Sequence, residues 1–314
     1  MKKYILAAAM ATLMAGTANA AKIGVSMALF DDNFLTVLRN GMIEQAKGME
    51  GVELQVEDAG NDVAKQLDQI KNFAASGVDA IIVNPVDTSA TQAMSDAAAA
   101  ANIPLVYVNR QQINIETLPD NQAFVASNEV DSGTLETKEV CRLLKEAGKT
   151  EANIYVMQGE LSNQAAVQRT ADIHDVMAGP DCGVKLTIVD EQTANWSRDQ
   201  AQSLMTNWIS AGKAYDAVIS NNDEMAIGAI QAMKAGGVDM KTMIIGGVDA
   251  TQDALVAMQA GDLDATVFQD AAGQGAGALD AALKLAKGEA VEQKVWIPFQ
   301  LVTPANIGDF LKKN

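Results

Sequence analysis

Ala217 to Gly228 reads AVISNNDEMAIG. The run Ala217-Val218-Ile219 has the composition of a buried strand, and it breaks abruptly into Ser220-Asn221-Asn222. Asp223 then stands at a helix N-cap position, ahead of Glu224-Met225-Ala226-Ile227. Polar amides therefore sit at a strand's carboxyl end, the edge of an open parallel α/β sheet where strand tips and helix N-termini converge and where ligands bind. The layout recurs at Leu105-Val106-Tyr107-Val108-Asn109-Arg110 and at Met243-Ile244-Ile245-Gly246-Gly247-Val248-Asp249. Three strands thus end in an amide, a guanidinium or a carboxylate.

Outward from that stretch, short apolar runs alternate with amphipathic segments from Lys22 onward, the signature of repeated βα units. Strands are expected at Ile23 to Met27, Glu53 to Glu57, Ala80 to Val83, Pro104 to Val108 and Ala123 to Val125. Five more follow at Asn153 to Gln158, Lys185 to Val189, Ala217 to Ser220, Thr242 to Gly246 and Ala265 to Phe268. Helical periodicity runs through Val63 to Ser76, Met225 to Ala235 and Gly273 to Lys287, and Val295 to Val302 reads as one further extended run. The pattern appears twice, with a polar changeover near Ala126 to Asn128, so the 314 residues are expected to form two parallel-sheet lobes of an α/β protein. No low-complexity linker intervenes, so short ordered crossings that can act as a hinge are expected.

Residues 1–20 have the form of a secretory leader: Lys2 and Lys3, a short apolar stretch from Tyr4 to Gly16, then Ala18-Asn19-Ala20 for cleavage. The apolar run is shorter than a membrane span needs. No cysteine stands at the cleavage site, so no lipid anchor is expected. The formal charge of −17 argues against a nucleic-acid partner, since phosphates need a basic surface. Cys141 and Cys182 belong to a chain bound for an oxidising space. They could pair, or remain two buried thiols; their spacing fits no metal cluster. His174, the only histidine, has no carboxylate or serine motif around it and reads as a surface helix residue. A glycine fingerprint, a G-x-S-x-G elbow, a Walker loop and a His/Cys ligand set are all missing from the sequence, so no cofactor, metal or catalytic constellation is expected. Gly273-Gln274-Gly275-Ala276-Gly277 falls inside a helical pattern and reads as small residues for close helix packing.

Candidate binding residues lie at the predicted ligand edge. Phe30-Asp31-Asp32-Asn33-Phe34 follows the first strand and offers two carboxylates and two aromatics, or simply a helix cap with Phe34 in the core. Arg110, directly after a buried strand, presents five fixed donors suited to neighbouring hydroxyls or a carboxylate. Trp196, in the polar loop Thr193-Ala194-Asn195-Trp196-Ser197, reads as a stacking platform, whereas Trp208 and Trp296 read as core or lobe-packing residues. Arg169, in a helix opening at Gln164, could reach the cleft or pair with a surface acid.

Seven ordered motifs resemble the type I periplasmic sugar-binding proteins of ABC transporters, especially the ribose and galactose groups. They are DDNF at Asp31 to Phe34, NPVD at Asn84 to Asp87, VNR at Val108 to Arg110, QGE at Gln158 to Glu160, NNDEMAIGA at Asn221 to Ala229, GVDA at Gly247 to Ala250 and TVFQD at Thr266 to Asp270. The resemblance implies two Rossmann-like lobes joined by a three-crossover hinge. The N-terminal lobe would be 21–126 plus 270–298, and the C-terminal lobe 127–269 plus 299–314. It implies ligand contacts from Asp32, Phe34, Asn109, Arg110, Arg169, Trp196, Asn222, Asp249 and Gln269. Phe34 and Trp196 would cover the two faces of a ring, and both arginines would each serve several hydroxyls. It further implies a monomeric periplasmic receptor, not an enzyme, that closes on its solute and docks on a membrane permease, with a chemoreceptor as a further candidate partner.

Departures from the pattern bear on the ligand. Asn163 and Ala165 stand where the galactose group has a histidine and an acid, and the calcium loop of that group is missing. Leu35, Asp32 and Asn109 stand where the ribose group has phenylalanine, an amide and an acid. This mixture resembles the branch that binds inositol or the aminocyclitol rhizopine. Ribose, galactose or a linear sugar alcohol is the alternative within the same role, and a secreted carbohydrate-active enzyme is the alternative of a different class.

Overall fold

The computed structural model describes residues 20–313; the leader read at 1–20 lies, Ala20 apart, outside the described residues. Five strands, β1 (Ala21–Met27), β2 (Val52–Asp58), β3 (Ala80–Val83), β4 (Leu105–Val108) and β5 (Gln122–Ala126), form a parallel sheet that β11 (Lys294–Trp296) extends, in the order β11-β5-β4-β3-β1-β2. A second parallel sheet takes β6 (Glu151–Gln158), β7 (Lys185–Thr193), β8 (Ala217–Ser220) and β9 (Ile244–Gly246) in the order β7-β6-β8-β9. Next to it β10 (Thr266–Phe268) pairs antiparallel with β12 (Gln300–Val302), and parallel bridges Gly246 to Ala265 and Asp249 to Phe268 tie β10 back towards β9.

The inner strands of both sheets are buried on both faces, which is why β3 and β4 read as unbroken apolar runs, while the edge strands β2 and β7 are partly exposed and carry polar residues. In β3, Ile82 packs with α1 (Asn33–Lys47) and α9 (Ala271–Ala286), through Leu38, Met42 and Leu279. Its neighbours Ile81 and Val83 pack the other way, with Ile70 and Phe73 of α2 (Val63–Ser76) and Met94 of α3 (Thr91–Ala100). In the second sheet Ile154 and Ile219 meet α4 (Glu129–Glu146) and α5 (Gln164–Ala178). Tyr155 and Val218 meet α6 (Arg198–Ser210), α7 (Asp223–Ala235) and α8 (Gln252–Gln259). Gly275 lets α9 lie close on α1, since a Cβ there would come within 2.8 Å of the Leu38 carbonyl oxygen.

The chain passes between the sheets at Ala126 to Glu129, Phe268 to Ala271 and Trp296 to Gln300. The last passage corrects the expected single extended run over Val295 to Val302. Pro298, with no N–H to donate, falls between β11 and β12, and the two short strands join different sheets. Trp296, expected as a core or lobe-packing residue, is not in the core: it is 44% exposed, with its ring T-shaped to Phe124 at 5.7 Å. Trp208 is buried and stacked on Tyr155 at 4.2 Å. Cys141 on α4 and Cys182 ahead of β7 are joined by a disulfide.

Candidate functional site

In each sheet the first strand is flanked on both sides, β1 by β2 and β3, β6 by β7 and β8, so successive crossovers diverge and leave a crevice at the carboxyl edge. The two crevices face each other. All nine candidate residues line one chamber between them, with Leu35, Asn163 and Ala165, around a space of about 390 Å³ that includes open solvent.

From the first sheet come Asp32 and Phe34 after β1, and Asn109 and Arg110 after β4. Asp32 is the N-cap of α1: one carboxylate oxygen accepts the Leu35 N–H at 2.8 Å, which fixes the side chain and leaves the other oxygen without a donor among the described residues. Burial pushes this carboxyl up from its ordinary value; the Leu35 N–H and Arg110 oppose the rise, and Glu224 and Glu160 add to it. Arg110 donates through Nη1 to the carbonyls of Pro85 (3.0 Å) and Val86 (3.3 Å). Its Nε–H and both Nη2 hydrogens have no acceptor among the described residues, so three fixed donors remain for a ligand. Asn109 is held by its neighbours, accepting from Asn84 and donating to Gln274, each at 3.2 Å.

Arg169 is used differently. Its Nε and Nη2 donate to the two oxygens of Glu129 at 2.7 and 3.2 Å, Nη2 also to Gln269 at 3.3 Å, and Nη1 to the Asn221 carbonyl at 2.6 Å. One Nη1 hydrogen is left on the side where Asp249 lies at 3.8 Å. Burial works against this cation, but Glu129, Asp249 and Glu136 outweigh it and raise its pKa. Arg110 thus keeps donors on which the expected contacts to hydroxyls can rest, whereas the donors of Arg169 are mainly committed to Glu129, Gln269 and the strand end at Asn221. Burial, against the pull of Arg169, pushes the Asp249 carboxyl well above the usual range.

The helix that opens after β8 corrects one reading of the sequence. Asn222, not Asp223, is the N-cap of α7, accepting from Met225 N–H at 3.0 Å. Asp223 is the first helical residue and is buried, taking hydrogen bonds from Thr266 and from the Thr251 N–H. The cap role leaves the Asn222 amide N–H towards the Trp196 carbonyl, at 3.5 Å.

Trp196 reaches the chamber because of two local features. Its φ is +61° and that of Asn195 +52°, both left-handed. Gly159 lies against the indole, where a Cβ would stand 2.2 Å from the ring. Asn109 at +68° and Asp249 at +124° are also left-handed, so three of the seven positive-φ non-glycine residues among those described line this chamber. Backbone strain held by surrounding structure clusters at functional sites. The indole N–H of Trp196 is buried without a protein acceptor.

Sequence reading missed Glu129, the carboxylate that pairs with Arg169. It lies 40 residues earlier, at the first turn of α4, and its only trace is the polar changeover just before it.

The model of the periplasmic binding protein domain matches residues 23–290. A putative rhizopine-binding protein of Rhizobium meliloti is 64% identical over 315 residues, covering 100% of both chains. An ABC transporter solute-binding protein from Bacillus halodurans, solved with bound myo-inositol, is 40% identical and superimposes with a TM-score of 0.87, over 95% of this chain and 100% of that one. The Caulobacter myo-inositol binding protein, 27% identical, superimposes with a TM-score of 0.83 over 93% and 97% of the two chains. Two doubly wound lobes around one polar chamber, with these matches along nearly the whole chain, make it a member of the periplasmic binding protein family, whose proteins bind solutes rather than transform them.

Proposed function

We propose that this chain is the periplasmic receptor of an ABC importer for a cyclic polyol, myo-inositol or an amine-bearing cyclitol of the rhizopine kind, held between the lobes and captured by hinge closure. The observation that carries the reading is the division of the chamber lining. The aromatic side chains of Phe34 and Trp196 suit the C–H faces of a saturated ring, while three N–H groups of Arg110 and the carboxylates of Asp32 and Asp249 suit a rim of hydroxyls. Both carboxyls are raised by burial, so each gains from a donor that arrives with the solute, a hydroxyl or an ammonium.

The nine candidate residues are proposed as the solute contacts. The lobes are proposed as 21–126 plus 270–298 and 127–269 plus 299–314, with the leader at 1–20 cleaved ahead of Ala21. The partner on the membrane is the importer's permease; the receptor acts as a monomer, and a chemoreceptor is a further partner. Titration calorimetry of the purified protein with myo-inositol, scyllo-inosamine, ribose, galactose and a linear polyol tests the ligand. Selective binding of a cyclitol is expected; selective binding of ribose or the linear polyol would keep the transport role and overturn the ligand. Mass spectrometry of periplasmic material, giving a chain that starts at Ala21, checks the leader.

A further inference from the structure

At the mouth of the chamber, outside the residues that line it, two side-chain hydrogen bonds join the two sheets' loops. Asn33 Nδ2 at the start of α1 donates to Glu224 Oε1 at 2.7 Å, and Asn61 Nδ2 in the loop after β2 donates to Glu160 Oε1 at 2.8 Å. In both, the first lobe supplies the amide and the second the carboxylate. Glu224 is held for this by Arg198, which donates to its oxygens at 2.8 and 2.9 Å. Asn61 is held by a left-handed backbone (φ +58°) and by its own N–H bond to the Ala28 carbonyl at 2.8 Å.

The sign of the charges matters. The first lobe's lip already carries Asp31 and Asp32, and the second brings Glu160, Asp199 and Glu224 to the same mouth. Bare carboxylates on both lips would repel on closure; amides at 33 and 61 turn two of those meetings into charge-assisted hydrogen bonds. Neither bond exists unless the lobes meet, so its free energy belongs wholly to the closed form. A group favouring one of two conformers shifts the population by that difference.

We infer that Asn33–Glu224 and Asn61–Glu160 are paired clasps whose side chains, without touching the solute, set the closed population and hence how long a bound solute is retained. They are positioning residues, and the inference rests on the reading of the chamber as the solute site. The test exchanges donor and acceptor. Asn61→Asp breaks the Asn61 clasp by placing two carboxylates together, Glu160→Gln keeps an acceptor oxygen and removes only its charge, and the double variant Asn61→Asp/Glu160→Gln restores an amide–carboxylate pair with unchanged net charge. Each is placed in a Thr88→Cys/Ser162→Cys background, positions where the Thr88 N–H and hydroxyl both reach the Ser162 carbonyl at 3.1 Å across the cleft. The rate of disulfide trapping under a fixed excess of oxidised glutathione then follows the closed population with or without solute.

Trapping is expected to slow about fivefold in Asn61→Asp, the scale of a partly exposed charged contact, and to return to within about twofold of the parent in the double variant. Asn33→Asp is expected to slow it similarly. The dissociation rate of myo-inositol, read by tryptophan fluorescence in stopped flow, should rise and recover in the same order. Asn61→Asp or Asn33→Asp trapping within twofold of the parent, or a double variant as slow as Asn61→Asp, overturns the clasps. Failure of myo-inositol to accelerate trapping in the parent would count against the proposed solute, while the ratios among variants would still decide the clasps.

Discussion

The two buried arginines of the chamber should fail in opposite ways when each is replaced by methionine, which keeps much of the stem and removes the guanidinium. Arg110 makes hydrogen bonds only to the Pro85 and Val86 carbonyls and keeps three N–H groups for the solute. A hydrogen bond to a charged group contributes about 1.5–3 kcal/mol. If two of the three are used, Arg110→Met costs about 3–6 kcal/mol of binding, roughly two to four orders of magnitude in Kd. Burial already disfavours this cation, so its removal should change the ligand-free melting temperature little. Arg169 is committed to Glu129, and both side chains are almost wholly buried. Arg169→Met leaves that carboxylate without its cation, a change that costs about 3–5 kcal/mol. For a unit of a lobe's size this lowers the melting temperature by roughly 6–20 °C. Calorimetry with myo-inositol and thermal unfolding without it read the two effects. Arg110→Met binding within tenfold of the parent, or Arg169→Met melting within about 2 °C of it, would refute the division of roles drawn from the hydrogen bonds.

Three further substitutions test neighbouring parts of the structure. Gly159→Ala drives a methyl into the indole of Trp196, and the displaced ring should cost about tenfold in solute affinity and alter the tryptophan emission change on binding. Asp172 has its pKa raised by burial to about 7, and its Oδ2 is buried without a partner. A raised folded pKa gives stability that is full below the unfolded value of 3.8 and is lost as pH climbs to about 7. Asp172→Asn should therefore melt higher than the parent at pH 8 and show a smaller fall in melting temperature between pH 4 and pH 7. Replacing Cys141 and Cys182 together by serine opens a bridge of sequence separation 41 and should cost about 2–5 kcal/mol, read by denaturant unfolding; an unchanged midpoint would remove the bridge from the stability of the lobe.

The sequence made visible those features in which a residue's type and its place along one element fix the outcome. AVIS, three buried apolar residues and a buried serine, reads as an interior strand, and the amides after it then lie at that strand's carboxyl edge. The same logic reached Asp32, Arg110 and Asp249, each following directly on an apolar run. What stayed hidden depends on a second element far along the chain. Asn222 and Asp223 are equally good caps by residue type, and Thr251 and Thr266 decide between them by taking Asp223 into the interior. Val295 to Val302 reads as one strand because a local pattern cannot say that its halves have partners in different sheets, β5 and β10. Arg169 could equally have met a cleft or a surface acid; Glu129, on a helix that begins at a crossing between the lobes, settles that it is buried and mostly spent. Residues proposed to meet the solute are thus legible from motif and position. Those that hold others in place are not, since their chemistry is defined by the partner that folding brings to them. This is why Asn33, Asn61, Glu160 and Glu224 look like ordinary surface polar residues until the two lips are set against each other.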